Sequence, residues 1–220
     1  QVILIGSLNM KEVLWDIFKQ HEHMRDFGKD IIPFAIKKYS VYGYPYTGFW
    51  EDVGTIKSFY EVNIGLCKDK PAFDFYDARA PIYTHARFMP ASRLENVRAQ
   101  GSLISEGCIV KDARIYNSVI GIRSIIGRDC GISDSIIMGA DYYENEAMIR
   151  ENKKMGIPCV GIGEHSRIIR SIIDKNARIG KGVIIENKKG RTSFEGKNYA
   201  IVDGIVVVEK NAVIADGTVI

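Results

Sequence analysis

Aliphatic residues recur about every six positions along the second half of the chain: Ile104, Val110, Ile115, Ile120, Ile126, Ile132 and Ile137, then Ile162, Ile168, Ile173, Ile179 and Ile184, and again Val208, Ile214 and Ile220. Small residues sit between the beats, among them Gly107, Cys108, Ala113, Ser118, Ser124, Ser171, Ala177 and Ala212. A helix places apolar residues three and four apart, and a half-buried strand places them two apart. A period near six fits neither. It predicts a left-handed parallel β-helix, in which short strands form three walls of a triangular prism, one aliphatic per wall points into a narrow core, and a small residue or Gly turns each corner. About four to five irregular coils are expected from residue 95 onward, with Ile126 and Ile179 pointing inward. The competing reading, a strand-rich domain spaced by accident, would show turn signals at wider and less regular intervals.

Residues 1–66 do not follow this beat. Asn9 with Glu12 predicts a capped helix through Val13, Leu14, Ile17 and Phe18. Val41 to Tyr46 alternates with aromatics and predicts a strand. Thr55 predicts the cap of a second helix through Ile56, Phe59, Tyr60 and Leu66. Helix, strand and helix in order form the closing portion of an α/β domain. In between, Gly48 to Thr55 places the Asp52 carboxylate between two glycines at a sheet mouth, where ligands usually bind. Residues 67–94, with Pro71, Pro81 and Pro90 among aromatics, predict a linker that packs, and 95–220 the solenoid. Two stretches interrupt the solenoid. Asp141 to Lys154 predicts a helical loop thrown from one corner, and Asn187 to Asn198 a polar, mobile loop.

The chain has 220 residues, 46% hydrophobic and 26% charged, with a net charge of +3, too mild to argue for nucleic acid. No apolar run is long enough to span a membrane and no secretory signal opens the chain. The first residues, Gln1 to Gly6, carry no starting Met and look like the middle of a domain, so a fragment is expected. Cys67, Cys108, Cys130 and Cys159 show no metal or redox spacing, and Cys108 and Cys130 fall in small-residue slots, which predicts buried, reduced thiols.

Several segments are sharper than these patterns: Asp26-Phe-Gly-Lys-Asp-Ile-Ile-Pro33, Trp50-Glu-Asp-Val-Gly-Thr55, Phe75-Tyr-Asp77, Pro81-Ile-Tyr-Thr84, Met138-Gly-Ala-Asp-Tyr-Tyr143, Ile172-Ile-Asp-Lys-Asn-Ala-Arg-Ile-Gly180 and Val207 to Ile220. Together they resemble the ADP-glucose pyrophosphorylase (glucose-1-phosphate adenylyltransferase) family in its cyanobacterial and plant form, over nearly the whole chain. The resemblance implies a Rossmann-like nucleotidyltransferase domain, here its C-terminal remnant, followed by the left-handed β-helix. It implies an enzyme of starch or glycogen synthesis that joins ATP and glucose 1-phosphate to give ADP-glucose and pyrophosphate with Mg2+, as a homo- or hetero-tetramer switched by a phosphorylated metabolite. It places such a protein in the cytoplasm of a bacterium or the plastid of a plant or alga.

Residue by residue, the resemblance implies that Asp52 helps hold the metal at the sugar-phosphate site; hard cations take few protein carboxylates plus substrate oxygens. The alternative is a helix-capping Asp52. It also implies that Arg87, Asp174, Lys175 and Lys210 line an effector pocket, where fixed cations suit a phosphate ester; the alternative is solvated surface charge. His85 and Ala86 depart from the family's usual neighbours of Arg87. His21, His23 and His165 have no ligand spacing. The family's Gly-rich phosphate loop and first catalytic aspartate would lie upstream, so no complete catalytic set is expected in this chain, and none of its activity alone. Two other readings compete. One is a regulatory subunit or oligomerisation module of such an enzyme. The other is a hexapeptide acyltransferase, for which His165 is the sole candidate histidine within a repeat. The chain reaches Ile220 on a beat without a polar cap, which predicts packing of the solenoid end against a partner chain or adjacent domain.

Overall fold

The computed structural model describes residues 3–4, 10–21 and 23–220, which divide into two compact units, 1–50 and 51–220. The predicted cap at Asn9 and most of the Gln1 to Gly6 segment lie outside the described residues.

In the first unit, α1 (Met10–Gln20) covers the predicted first helix and buries Ile17. A π-turn over Phe27–Ile31 follows, capped by Asp26, whose carboxylate accepts from the Lys29 amide at 2.8 Å, and runs into α2 (Ile32–Lys38) with Pro33 in its first turn. Of the predicted strand Val41 to Tyr46, Tyr44–Pro45 pairs among the described residues, antiparallel to Ile3–Leu4. Pro45 has no amide hydrogen to extend the ladder.

The second unit is a parallel β-helix with three walls. The first wall stacks Arg93–Glu95, Ile109–Lys111, Ile125–Ile126, Gly161–Ile162, Arg178–Ile179 and Val213–Ile214. The second stacks Arg98–Gln100, Arg114–Tyr116, Gly131–Ser133, Arg167–Ile169 and Ile184–Ile185, and the third Leu103–Ile104, Val119–Ile120, Ile136–Ile137, Ser171–Ile173 and Ile205–Val208. Five full coils thus begin at Arg93, and a sixth is started by Val213–Ile214 and a parallel bridge from Val219 to Ile184.

Register explains the beat. Along the first wall Leu94, Val110, Ile126, Ile162, Ile179 and Ile214 are successive partners. Along the second they are Ala99, Ile115, Ile132, Ile168 and Ile185, and along the third Ile104, Ile120, Ile137, Ile173 and Val208. From the second coil on these side chains are buried in one continuous core, Ile126 and Ile179 among them. One beat moves by a residue: the core position is Ile185, fully buried, while Ile184 is half-buried. The preceding corner, Gly182 at φ +63° followed by buried Val183, keeps the six-residue step from Ile179.

The corners also differ from expectation. Their left-handed residues are mostly not glycine but Asn96, Asp112, Asn117, Asp129, Asp134, Asn176 and Asn211, joined by Arg123, His165 and Arg170. Asn and Asp tolerate this conformation best among residues with a Cβ. From Asp112 onward the small residue comes next and is buried: Ala113, Ser118, Ser124, Cys130, Ser135, Ser166, Ser171, Ala177 and Ala212. Serines at the corner entering the third wall form a ladder, the Ser135 amide donating to Ser118 Oγ at 3.1 Å and the Ser171 amide to Ser135 Oγ at 3.2 Å.

α3 (Ile56–Gly65) begins at the predicted cap: the Thr55 hydroxyl accepts from the Ser58 amide and the Ser58 hydroxyl from the Thr55 amide. It lies on the outer face of the third wall, where Tyr60 is buried with Ile136, Ile172 and Ile205, and its hydroxyl donates to the Asp134 carbonyl at 2.6 Å. Along 67–94, where a packed linker was expected, Tyr76, Tyr83 and Phe88 are 83, 93 and 95% exposed. α4 (Glu146–Lys154), capped by Asn145, is the predicted helical excursion from the corner after the third wall. The stretch 187–198, expected as a loop, instead contributes Ser193–Glu195, antiparallel to Tyr199–Val202, which in turn pairs with Ile205–Val208. Phe194 and Tyr199 pack against each other with ring centroids 5.3 Å apart and their planes tilted by 31°. Among the described residues no helix is long and apolar enough to cross a membrane.

Candidate functional site

The corner between third and first walls gathers charge. The strands Ser171–Ile173 and Ile205–Val208 present Ile172 and Val207 outward toward α3 and bury Ile173 and Val208. They then run directly into Asp174-Lys175 and Glu209-Lys210, so stacking of the coils places Lys175 and Lys210 on adjacent turns. Asp141, at the start of the α4 excursion, joins them: Lys175 Nζ is 3.1 Å from Asp141 Oδ1 and Lys210 Nζ is 3.2 Å from Asp141 Oδ2.

Asparagines fix this arrangement. The Asp141 amide donates to Asn176 Oδ1 at 2.8 Å, and Asn176 Nδ2 donates to Asp141 Oδ2 at 3.1 Å and to Asn211 Oδ1 at 3.2 Å. Asn176 is buried and left-handed, which holds its amide group in place. Upstream, Gly139 is required by sterics, since a Cβ there would collide with the Ile122 carbonyl in a left-handed turn. Lys175, Asn176 and Lys210 together push the Asp141 carboxyl down to about 2 from 3.8, because donors and cations favour the ionised form. Asp174 accepts from the Lys175 amide at 2.6 Å.

Lys175, Lys210 and Asp174 are therefore brought to one corner. Arg87 is exposed, and among the described residues no ion pair or hydrogen bond joins it to them. The residue that sequence reasoning missed is Asp141. A signal for the corner was present: Asp174-Lys-Asn-Ala-Arg-Ile179 and Glu209-Lys-Asn-Ala-Val-Ile214 share Lys-Asn-Ala and the closing Ile after an acidic residue, which places the two lysines at equivalent corners.

Asp52 sits in the exposed segment before α3. Its Oδ1 accepts from the Gly54 amide at 2.9 Å, and Thr55, not Asp52, is the helix cap. Asp52 fits a magnesium site as one oxygen donor. Among the described residues no group of three His, Cys, Asp or Glu assembles round a metal position.

The remaining candidates have structural places. His165 is a corner residue with Nδ1 3.4 Å from Asp129 Oδ2, and His21 packs edge-on against Phe34 at 4.6 Å. All four cysteines are free; Cys67, Cys108 and Cys130 are buried, which pushes their thiols up, and Cys159 is exposed. The base of the α4 excursion is clamped by Glu144, buried against Arg178 at 2.7 Å, with Glu144 also accepting from Asn152 Nδ2 at 2.7 Å and the Val160 amide at 2.8 Å.

Comparison with known families gives two matches. The GLGC left-handed parallel beta-helix domain matches residues 87–219, more than half of the chain, and the nucleotidyl transferase domain matches residues 9–69.

Proposed function

The chain belongs to the family of the GLGC left-handed parallel β-helix domain, in an ADP-glucose pyrophosphorylase-type protein, and from that premise we propose that it is the C-terminal portion of a glucose-1-phosphate adenylyltransferase. The reaction would join ATP and glucose 1-phosphate into ADP-glucose and pyrophosphate, in starch or glycogen synthesis. The observation that carries this reading is the order of the two matches, a nucleotidyl transferase segment leading directly into the β-helix.

Within that reaction the chain has two roles. Asp52 contributes one carboxylate to a magnesium ion, which when bound neutralises phosphate charge; the residue's own part is to hold that carboxylate near the start of α3. Lys175 and Lys210 receive a phosphorylated effector at the β-helix corner, with Asp174 beside them and Arg87 as a further cation. Supporting this are the two ammonium groups converging on one carboxylate position, a geometry that suits an anion. The Gly-rich phosphate loop belongs to an upstream half absent from this sequence, so the 220-residue chain alone does not turn over. A tetramer completes the reading, with the solenoid end near Ile220 covered by a neighbour.

The test is pyrophosphate release from ATP and glucose 1-phosphate with magnesium, by a protein with the upstream half and by the 220-residue chain alone. Turnover by the first and none by the second is expected. In the longer protein Lys210→Ala weakens effector activation with basal rate retained, whereas Asp52→Ala lowers turnover or sugar-phosphate affinity. An effector response unaltered by Lys210→Ala, at fixed substrate and magnesium, refutes the regulatory role. A longer protein that activates an active partner subunit but does not itself turn over would mark it as the regulatory subunit.

A further inference from the structure

We propose that Asp141 is a built-in occupant of the Lys175 and Lys210 anion site, and that a phosphoryl dianion binds there by displacing its carboxylate. This rests on the reading of those lysines as an anion site. The geometry carries the rest. Each oxygen of Asp141 takes one ammonium, at 3.1 and 3.2 Å, so the carboxylate spans the gap that a phosphoryl group would bridge.

Three features make displacement, rather than addition, the mode of binding. The corner is open to solvent: the side chains of Asp141, Lys175 and Lys210 are 41, 30 and 52% exposed. The neighbouring cavity, lined by Asp174 and by apolar residues such as Ile137, Val160 and Ile173, amounts to about 10 Å³, room for no more than a water. A ligand therefore comes from the solvent side, where the carboxylate already occupies both ammonium groups. Finally, the Asp141 main chain is anchored separately through its amide to buried Asn176, so release needs only side-chain rotation, not unwinding of the excursion.

An intramolecular carboxylate competes at a high effective concentration. A dissolved monocarboxylate offers the lysines nothing that Asp141 does not already give. A phosphoryl dianion carries more charge and three strong acceptor oxygens, enough to outcompete it. Asp141 thereby makes the corner selective for dianionic phosphoryl groups over carboxylates. Its depressed pKa, about 2, means it stays ionised wherever phosphate is a dianion, so the exchange is carboxylate for phosphate without proton uptake.

Calorimetric titration of the intact protein with inorganic phosphate, and separately with acetate, tests this. Asp141→Asn, which retains a neutral partner for Asn176, is expected to tighten phosphate binding about tenfold and to make acetate binding measurable. The Lys175→Gln/Lys210→Gln variant should bind neither. Unchanged phosphate affinity in Asp141→Asn, with binding abolished by the lysine pair, overturns the role of Asp141 and leaves the anion site standing. No phosphate binding by wild type or Asp141→Asn overturns both. A second readout avoids dependence on the variant's folding: the carboxyl carbon resonance of Asp141 in the wild-type protein. Saturation with phosphate at about pH 8, where inorganic phosphate is a dianion, should shift that resonance, and a resonance that stays in place overturns the proposal.

Discussion

Ile184 and Ile185 are the same residue type side by side, and the coil assigns them opposite fates. Ile185 is fully buried, paired with Ile168 in the second wall, and belongs to the continuous core with Val183; Ile184 is half-buried and outside that core. Because side chains alternate between faces, a slip of one residue would exchange the two. Truncating a buried Ile to Ala costs about 2–5 kcal/mol, a transfer term plus the cavity left behind. Ile185 has a core neighbour below it but only the partial sixth coil above, so about 3 kcal/mol is expected for Ile185→Ala. Ile184→Ala, with no closed cavity to create, should cost less than about 1 kcal/mol. Urea unfolding followed by far-ultraviolet circular dichroism measures both, with equal m values showing that stability alone has changed. In heating experiments the larger loss corresponds to about 6–12 °C for a protein of this size. A loss for Ile184→Ala equal to or greater than that for Ile185→Ala would refute the register of the fifth coil.

Ile179→Asp should prevent the β-helix from folding, because the narrow prism offers no partner for a buried carboxylate; a soluble variant with native circular dichroism would contradict that. Glu144→Ala leaves Arg178 without its buried counter-ion and should cost about 3–5 kcal/mol, with faster hydrogen exchange in α4; unchanged exchange there would show that the clamp does not hold the excursion. The Asp141 carboxyl is depressed in the folded state, so its contribution is present above its unfolded value of 3.8 and is lost as pH falls toward about 2. Urea midpoints measured between those limits should fall less steeply in Asp141→Asn than in wild type, and identical acid limbs would show that the carboxylate is not held by the lysines.

The β-helix was legible because its core is one residue wide. Each wall admits one aliphatic per coil, so the fold writes itself into the sequence as a beat, and twelve of the core partners from Val110 to Ile214 fall on positions read from that beat. The corners were less legible. Glycine and small residues were expected to turn them, but the left-handed position and the small position are two different residues, and Asn or Asp fills the first. His165 illustrates the cost of missing this: seen alone it resembles a catalytic histidine, whereas in the corner pattern it precedes buried Ser166 as Asp129 precedes Cys130. Polarity misled at 187–198, where two aromatic rings and a ladder to Ile205–Val208 supply order that a composition count does not register.

The corner site stayed hidden for a reason of arithmetic. An uninterrupted coil takes 16 or 17 residues, the distances from Val110 to its partner Ile126 and from Ile162 to its partner Ile179. Along the third wall the steps are 36 residues from Ile137 to Ile173 and 35 from Ile173 to Val208, because one coil throws out the α4 excursion and the next adds the hairpin of Ser193–Glu195 and Tyr199–Val202. Asp141, Lys175 and Lys210 are therefore separated in sequence by about two coils each and in space by one. The lysines could be matched because they sit in a repeated phrase. Asp141 could not, because it lies on the excursion, where the beat has already lapsed, and is held at the corner by its hydrogen bonds to Asn176 and its ion pairs with the lysines. The reading from sequence placed cations there and looked for an anion outside the protein; the structure supplies one from within, and any external anion has to be weighed against it.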